Sequence, residues 1–497
     1  MANLKSLVKD TAIYGLSSIV GRFLNYLLVP LYTRVIEAAD GGYGVVNNVY
    51  AYTALLLVIL TFGMETTFFR FANKEEENPH TVFSTALGMV SFLCVLFAGG
   101  VLLFIDPISA GMGYADHPEY IQIMAICVAL DAFKCIPFAW LRFQKRPIKF
   151  ATLQLLNIAV NIGLNLLYFV AFPAIEKEHP GMLGLIYDPT IGTVDYIFIL
   201  NLVCTVIVTL CFCPDLLHIK WHFDFALLRR MFSYSWPILV FGIAGNLTNF
   251  ADRIIYPFVV PDGWQEPLGI YGACVKIAMI MTMITQAFRY AYEPFVFAAN
   301  KEKDSKQAYA TTMKFFIIFT LLAFLCVMGY MDILQRIVGN TYREGMRVVP
   351  IVMAAEIMMG IYFNLSFWYK LIDKTIWGMW LSMAGCLTLI IVDVVFIPIY
   401  GYIACAWGCF AGYFVSMVFS YFAGQHHNPI AYPLKSIFVY IALAAILYGV
   451  MAFLPADWPT AARLGINTLL ILAFVAHILY HDLPLRSLPV VGRFFRK

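Results

Sequence analysis

The residues with chemistry to offer in this chain are charged and amide side chains set inside long apolar runs. Ser18, Arg22 and Asn25 are spaced by four and three, and Asn246, Asn249 and Arg253 by three and four, so each set shares one helix face. Asp252 stands beside Arg253. A cation halfway along an apolar run needs a carboxylate partner or a water-filled cavity. Such groups therefore read either as ion pairs between helices or as the lining of a polar path. Lys276, Arg289 and Glu293 share one later run, and the last two, four apart, can pair along the helix. Asp131 and Lys134, three apart, can neutralise each other. Glu356 and Asp393 are carboxylates without an obvious local partner, which makes each a candidate proton or sodium site. Gln154, Asn157, Asn161 and Asn165 form an amide stripe suited to hydroxyl-rich ligands or, equally, to hydrogen bonds between helices.

The elements that must position these groups are membrane helices. The chain has 497 residues, of which 61% are hydrophobic and 13% charged, and its mean hydropathy is +0.78. A soluble protein of this size cannot expose such a composition. Fourteen apolar windows reach the roughly 20 residues a helical span requires. Basic residues crowd the loops on the side of the amino terminus, as in Arg142, Lys145, Arg146 and Lys149. The opposite side holds only Arg34, Lys177, Arg336, Arg343, Arg347 and Arg463. By the positive-inside rule both termini are expected in the cytoplasm. The net charge of +3 thus reflects sidedness and does not point to nucleic acid.

Several function classes fall away. No Walker-type lysine loop or dinucleotide fingerprint occurs, so no catalytic residue, metal site or cofactor is expected. Energy would come from a Na+ or H+ gradient, the membrane potential or the substrate gradient. The eleven cysteines lie within or at the edges of apolar segments, which argues against a disulfide framework. The first span is too long and too polar for a cleaved signal peptide. Two glycosylation patterns, at Asn246 and Asn364, fall at membrane depth and are set aside.

The chain also repeats itself. Tyr43-Gly44 recurs as Tyr271-Gly272, Glu65 as Glu293, Trp140 as Trp368, Arg142 as Lys370, Arg146 as Lys374 and Asn165 as Asp393, at a constant offset of 228. Near the start of each half, Gly21, Asn25 and Tyr26 match Gly245, Asn249 and Phe250 at an offset of 224. The expected fold is therefore an all-α polytopic membrane protein with 14 transmembrane helices in two pseudo-symmetric six-helix bundles plus two carboxy-terminal helices. Its domains would be a lobe over 1–220, a second lobe over 221–428, and helices 13 and 14 with a cytoplasmic tail over 429–497. Six spans per repeat imply a pseudo-twofold axis along the membrane normal. Pro30 in the first span and Pro237 and Pro257 in the seventh would bend those helices, as packing kinks or as hinges. Glu65 and Glu293, being symmetric, suit a structural or gating role. Arg289, opposite Thr61, is the asymmetric and better ligand candidate.

Three stretches resemble the polysaccharide (Wzx-like) flippases of the multidrug/oligosaccharidyl-lipid/polysaccharide exporter superfamily. The first runs from Lys9 through Gly15, Gly21, Arg22, Pro30 and Arg34 to Gly42-Tyr43-Gly44. The second is Pro137-Phe138, Leu141-Arg142 and Lys145-Arg146, leading into Asn157, Asn161 and Asn165. The third is Lys374-Thr375, Ile397-Pro398, Tyr400-Gly401 and Ala404 to Ala406. The chain departs from the family pattern at Asp393, usually asparagine, and at Cys405, commonly a smaller residue. The resemblance implies a bacterial cytoplasmic (inner) membrane flippase that carries an undecaprenyl-diphosphate-linked oligosaccharide to the outer leaflet by alternating access. Expected partners are the lipid-linked oligosaccharide, membrane lipid, a polysaccharide polymerase and glycosyltransferases. On that reading Arg22 and Arg289 hold the headgroup, with Lys276, Arg253 and Lys134 behind them. Asn25, Asn157, Asn161 and Asn249 join the substrate set. Glu65, Asp131, Asp252, Glu293, Glu356 and Asp393 form the gating or ion-coupling set.

Other readings stay open at this point. A lipid II flippase and a cation-coupled multidrug antiporter belong to the same superfamily, although an antiporter for cationic drugs should line its cavity with acids. A membrane polysaccharide polymerase or ligase would be expected to carry a large outward loop. The longest such segment here, about 173–193, is short and broken by proline and glycine. A purely structural scaffold leaves the buried charges unexplained.

Overall fold

The computed structural model describes Tyr26 and residues 28–482, apart from 185, 218–220, 300–304, 372–373, 375 and 456, and gives no side-chain placement for 290–299, 305 and 371. Among the described residues every regular element is helical. The long helices are α1 (Leu28–Val35), α2 (Gly42–Thr61), α3 (Met64–Ala72), α4 (Pro79–Leu103), α5 (Pro118–Phe143), α6 (Pro147–Leu166) and α7 (Thr193–Leu210). They continue as α8 (Phe225–Val259), α9 (Gln265–Ala299), α10 (Ser305–Gly329), α11 (Val349–Leu365), α12 (Ile376–Tyr400), α13 (Tyr402–His427), α14 (Leu434–Ala452) and α15 (Thr460–His481). Among the described residues, thirteen candidate spans are long and apolar enough to cross a membrane. The fourteenth expected span, 11–36, lies mostly outside the described residues. All-helical spanning structure follows from the solvent, because lipid offers no partner for a free backbone N–H or C=O.

The chain divides into two compact units. One takes the residues up to Ala273 together with Cys386–Cys409, and the other takes Cys274–Gly385 with Phe410 onward. The divisions fall inside α9, α12 and α13, so single helices contribute to both units.

In the first unit α2 packs on α5 and α8, α5 on α4 and α7, and α6 on α7. Its apolar centre gathers Met64, Phe68, Phe83, Leu87 and Ile136, all under 2% exposed. Phe83 and Trp140 lie 4.7 Å apart between ring centroids. The repeat is visible as a helix crossing. Gly41 and Gly44 of one half match Gly269 and Gly272 of the other, and the two pairs interlock. A Cβ on Gly44 would sit 1.8 Å from the Gln265 carbonyl oxygen, and one on Gly272 would sit 2.5 Å from Asn47 Cγ. Only glycine permits that approach between α2 and the start of α9. Between α2 and α3 the backbone turns through left-handed values at Phe62 (φ 50) and Gly63 (φ 65). That break places Glu65 in the first turn of α3, where the helix dipole favours a carboxylate.

The amide stripe on α6 leads into a π-helical turn over Leu167–Ala171. In the second unit α10 packs against α11, α14 and α15. Lys314 of α10 is ion-paired with Asp482, which also accepts the Tyr440 hydroxyl. All eleven cysteines are free thiols.

Candidate functional site

Within the first unit, α8, α9, α12 and α13 bring one set of polar groups together. Asp252 is 4% exposed. Its Oδ2 accepts the Tyr271 hydroxyl at 2.6 Å, and its Oδ1 accepts the Arg253 backbone N–H at 2.8 Å. The Arg253 guanidinium lies 5.5 Å from the Phe250 ring centroid and 5.9 Å from that of Tyr271. Its Nε is buried without a hydrogen-bond partner among the described residues. The Arg253 carbonyl accepts Asn48 Nδ2 at 2.7 Å, and Asn48 Oδ1 accepts the Tyr114 hydroxyl at 2.7 Å. Burial pushes the Tyr114 phenol up from its ordinary range, which keeps it protonated and donating. This relay ties α2 to α8 and orients the Asp252–Arg253 pair.

Asp393 of α12 is fully buried, and neither carboxylate oxygen has a hydrogen-bond partner among the described residues. A Cβ on Gly408 of α13 would fall 2.1 Å from Asp393 Oδ1, so the missing side chain at 408 is what leaves room for the carboxyl. Asp393 and Asp252 lie within electrostatic range of each other and of Cys405. Two carboxyl groups, one of them without a donor, next to an arginine form an arrangement able to take up a proton or a small cation and release it.

The other expected groups of this unit are committed to neighbours. Lys134 is 4% exposed, and its Nζ stands 2.7 Å from Asp131 Oδ1, the pairing their spacing predicts. Asn157 accepts Cys204 Sγ at 2.9 Å, binding α6 to α7. Asn161 accepts Asn165 Nδ2 at 3.0 Å, and Asn165 accepts the Tyr32 hydroxyl of α1 at 2.8 Å. The stripe is therefore used between and along helices at these positions. Glu65 is ion-paired with Arg142 and accepts Cys135 Sγ at 3.2 Å. Asn249 donates to the Gly245 carbonyl at 2.9 Å.

In the second unit the Arg289 guanidinium lies 4.0 Å from the Phe363 ring centroid, a cation-π contact. Lys276 on α9 and Glu356 on α11 are half-buried. Arg22 and Asn25 lie outside the described residues, as does the side chain of Glu293. No group of three or more His, Cys, Asp or Glu able to hold a metal ion occurs among the described residues. The sequence reading missed Tyr271, Asn48 and Tyr114 as partners of the Asp252–Arg253 pair, because nothing local announces contacts made across helices. It also passed over Lys314, whose place inside an apolar run was the available signal.

Solved structures share this fold at low sequence identity. Lipid II flippase MurJ in an inward closed conformation superposes with a TM-score of 0.70 at 13% identity, covering 94% of this chain and 98% of that one. An inward-facing multidrug resistance MATE family transporter of the MOP superfamily gives 0.62 at 13% identity over 85% and 96%. The MATE multidrug transporter DinF-BH gives 0.60 at 15% identity over 87% and 96%. No curated protein matches the sequence. A family model described as polysaccharide biosynthesis protein matches residues 7–292, more than half of the chain, so this multi-pass membrane protein belongs to the polysaccharide biosynthesis protein family.

Proposed function

We propose that this protein is a flippase that moves an undecaprenyl-diphosphate-linked oligosaccharide from the cytoplasmic to the outer leaflet, for O-antigen, capsule or exopolysaccharide synthesis. The observation that carries the reading is membership of a polysaccharide biosynthesis family in a chain with the fold of a lipid flippase. The protein works in the bacterial cytoplasmic membrane with both termini inside. The lobes are 1–220 and 221–428, followed by helices 13 and 14 over 429–497, and they alternate access. The protein itself makes and breaks no covalent bond.

The physical logic is division of labour. A diphosphate calls for guanidinium and ammonium groups, which assigns Arg22 and Arg289 to the headgroup, with Lys276, Arg253 and Lys134 as further cations of the substrate set. Sugars call for amides, and the polyprenyl tail stays in lipid. Coupling falls to Asp393 and Asp252. A carboxyl buried without a donor favours a bound proton or cation in one state and a wet, charged carboxylate in the other.

In a strain lacking the gene, surface glycan should disappear while the lipid-linked precursor accumulates in the inner leaflet. Arg22→Ala with Arg289→Ala should reproduce that loss at normal protein abundance. Full surface glycan from the double variant would overturn the headgroup assignment. The similarity to MurJ keeps one second reading in play, a lipid II flippase. Rescue of a strain depleted of its lipid II flippase, with surface glycan unaffected by the deletion, would select it.

A further inference from the structure

The two helices that lie outside the sequence repeat, α14 and α15, enclose with α10 and α11 a cleft with two levels. At the end that the basic-residue count places outward, a cavity of about 220 Å3 lies among α10, α11, α14 and α15 and the segments that flank them. Arg347, Arg463, Asp332 and Asn467 contribute its polar groups, and Tyr448 forms part of its wall. Directly inward along α10, α11 and α14 lies a second cavity of about 190 Å3. It is lined by apolar side chains such as Leu321, Phe324, Ile357, Ile361 and Ala445, and Tyr448 borders it as well. Tyr448 is thus part of the wall of both levels.

The polar level is incompletely satisfied among the described residues. Asn467 is 5% exposed. Its Nδ2 donates to the Gly329 carbonyl at 2.8 Å, while its Oδ1 has no donor. Asp332 Oδ1 stands 3.3 Å from the Arg463 guanidinium, and its Oδ2 is buried with no donor. Arg463 Nε is buried with no acceptor. Two acceptors and one donor, all taken out of water, are a costly arrangement unless a ligand supplies the complement. The two acceptors call for a group rich in N–H, and the guanidinium groups of Arg347 and Arg463, with five N–H donors each, can also receive an anionic oxygen. A phosphate diester joined to a primary ammonium meets both needs in one headgroup.

The apolar level states what hangs from it. From Ile317 to Met328, α10 rises about 16 Å, half of a hydrocarbon core of roughly 30 Å. That depth suits an acyl chain of a single leaflet. An undecaprenyl chain is far longer. We infer that the cleft among α10, α11, α14 and α15 is a binding site for an ethanolamine phospholipid of the outer leaflet. The phosphate lies against Arg347 and Arg463, the ammonium against Asp332 Oδ2 and Asn467 Oδ1, and one acyl chain along Leu321 and Ala445. The helices beyond the repeat thereby acquire a role as a lipid seat, whichever substrate the protein carries.

Native mass spectrometry of the full chain in detergent, with equimolar phosphatidylethanolamine, phosphatidylglycerol and phosphatidylcholine added, tests the site. Phosphatidylethanolamine should be retained about tenfold over phosphatidylcholine, whose quaternary ammonium has no N–H, the size expected for a charge-assisted hydrogen bond. Asn467→Leu should bring the two within about twofold. Ala445→Trp, which fills the apolar level, should abolish retention while the protein elutes as a single species. Arg347 is surface-exposed, so Arg347→Gln leaves folding intact and should lower retention about fivefold. Equal retention of the three lipids, retention unchanged in Ala445→Trp and Arg347→Gln, or displacement of phosphatidylethanolamine by equimolar undecaprenyl phosphate would each overturn the assignment.

Discussion

Asn165 and Asp393 hold matching places in the two halves of the chain, and their surroundings differ in kind. Both are 1% exposed or less. Asn165 receives the Tyr32 hydroxyl at 2.8 Å and donates to the Asn161 carbonyl at 2.8 Å and to Asn161 Oδ1 at 3.0 Å. Asp393 has no partner at either oxygen among the described residues, and it faces a glycine, Gly408, across the helix contact. A buried polar group that serves the scaffold is satisfied by its neighbours, whereas one that must exchange something is left with an open valence. The duplication thus supplied one position twice, with its side chain satisfied in one half and left open in the other.

Three substitutions and one double-mutant cycle break or sharpen this comparison. The largest effect is expected from Asn165→Asp, which replaces an N–H donor by an oxygen facing two acceptors of Asn161. It should destabilise the protein by about 2–4 kcal/mol, read as a lowered melting temperature in detergent. An unchanged melting temperature would show that the first half is as permissive as the second. Tyr271→Phe removes the donor to Asp252 and should cost about 1–3 kcal/mol. It should also impair transport, because it leaves Asp252 Oδ2 open in addition to the two oxygens of Asp393.

Asp393→Asn is expected to move in the opposite direction. An amide is cheaper to bury than an unpartnered carboxyl, so stability should rise by about 1–2 kcal/mol while export of surface glycan fails. A variant both more stable and fully active would remove Asp393 from the coupling role. The smallest effect belongs to Glu65 and Arg142, whose side chains are 41% and 32% exposed. Solvent screens such a pair, and a double-mutant cycle should return under about 1 kcal/mol. A larger coupling energy would mark it as a gate and no longer a surface pair.

The sequence was most legible where the physics is local. Apolar run length set the spans, and the i,i+3 rule placed Lys134 on Asp131. Gly44 and Gly272 stood out as repeat positions, but their interlocking, with Gly41 and Gly269 beside them, needed the crossing of α2 with α9. The partner of Glu65 was not legible, since Arg142 lies 77 residues away on α5. The amide stripe on α6 was legible as a stripe, while its use between helices depended on Cys204 and Tyr32.

By itself, then, the sequence determined the solvent, the span lengths, the duplication and the presence of charges that lipid cannot accept. Those properties follow from hydropathy and spacing, which are sums over neighbours along the chain. Only the tertiary structure decided which of those charges are answered. Asp131 met a lysine one helical turn away, Asp252 met Tyr271 from another helix, and Asp393 met a glycine. Hydrogen-bond satisfaction depends on a few tenths of an ångström between groups far apart in the chain, and only packing sets that distance.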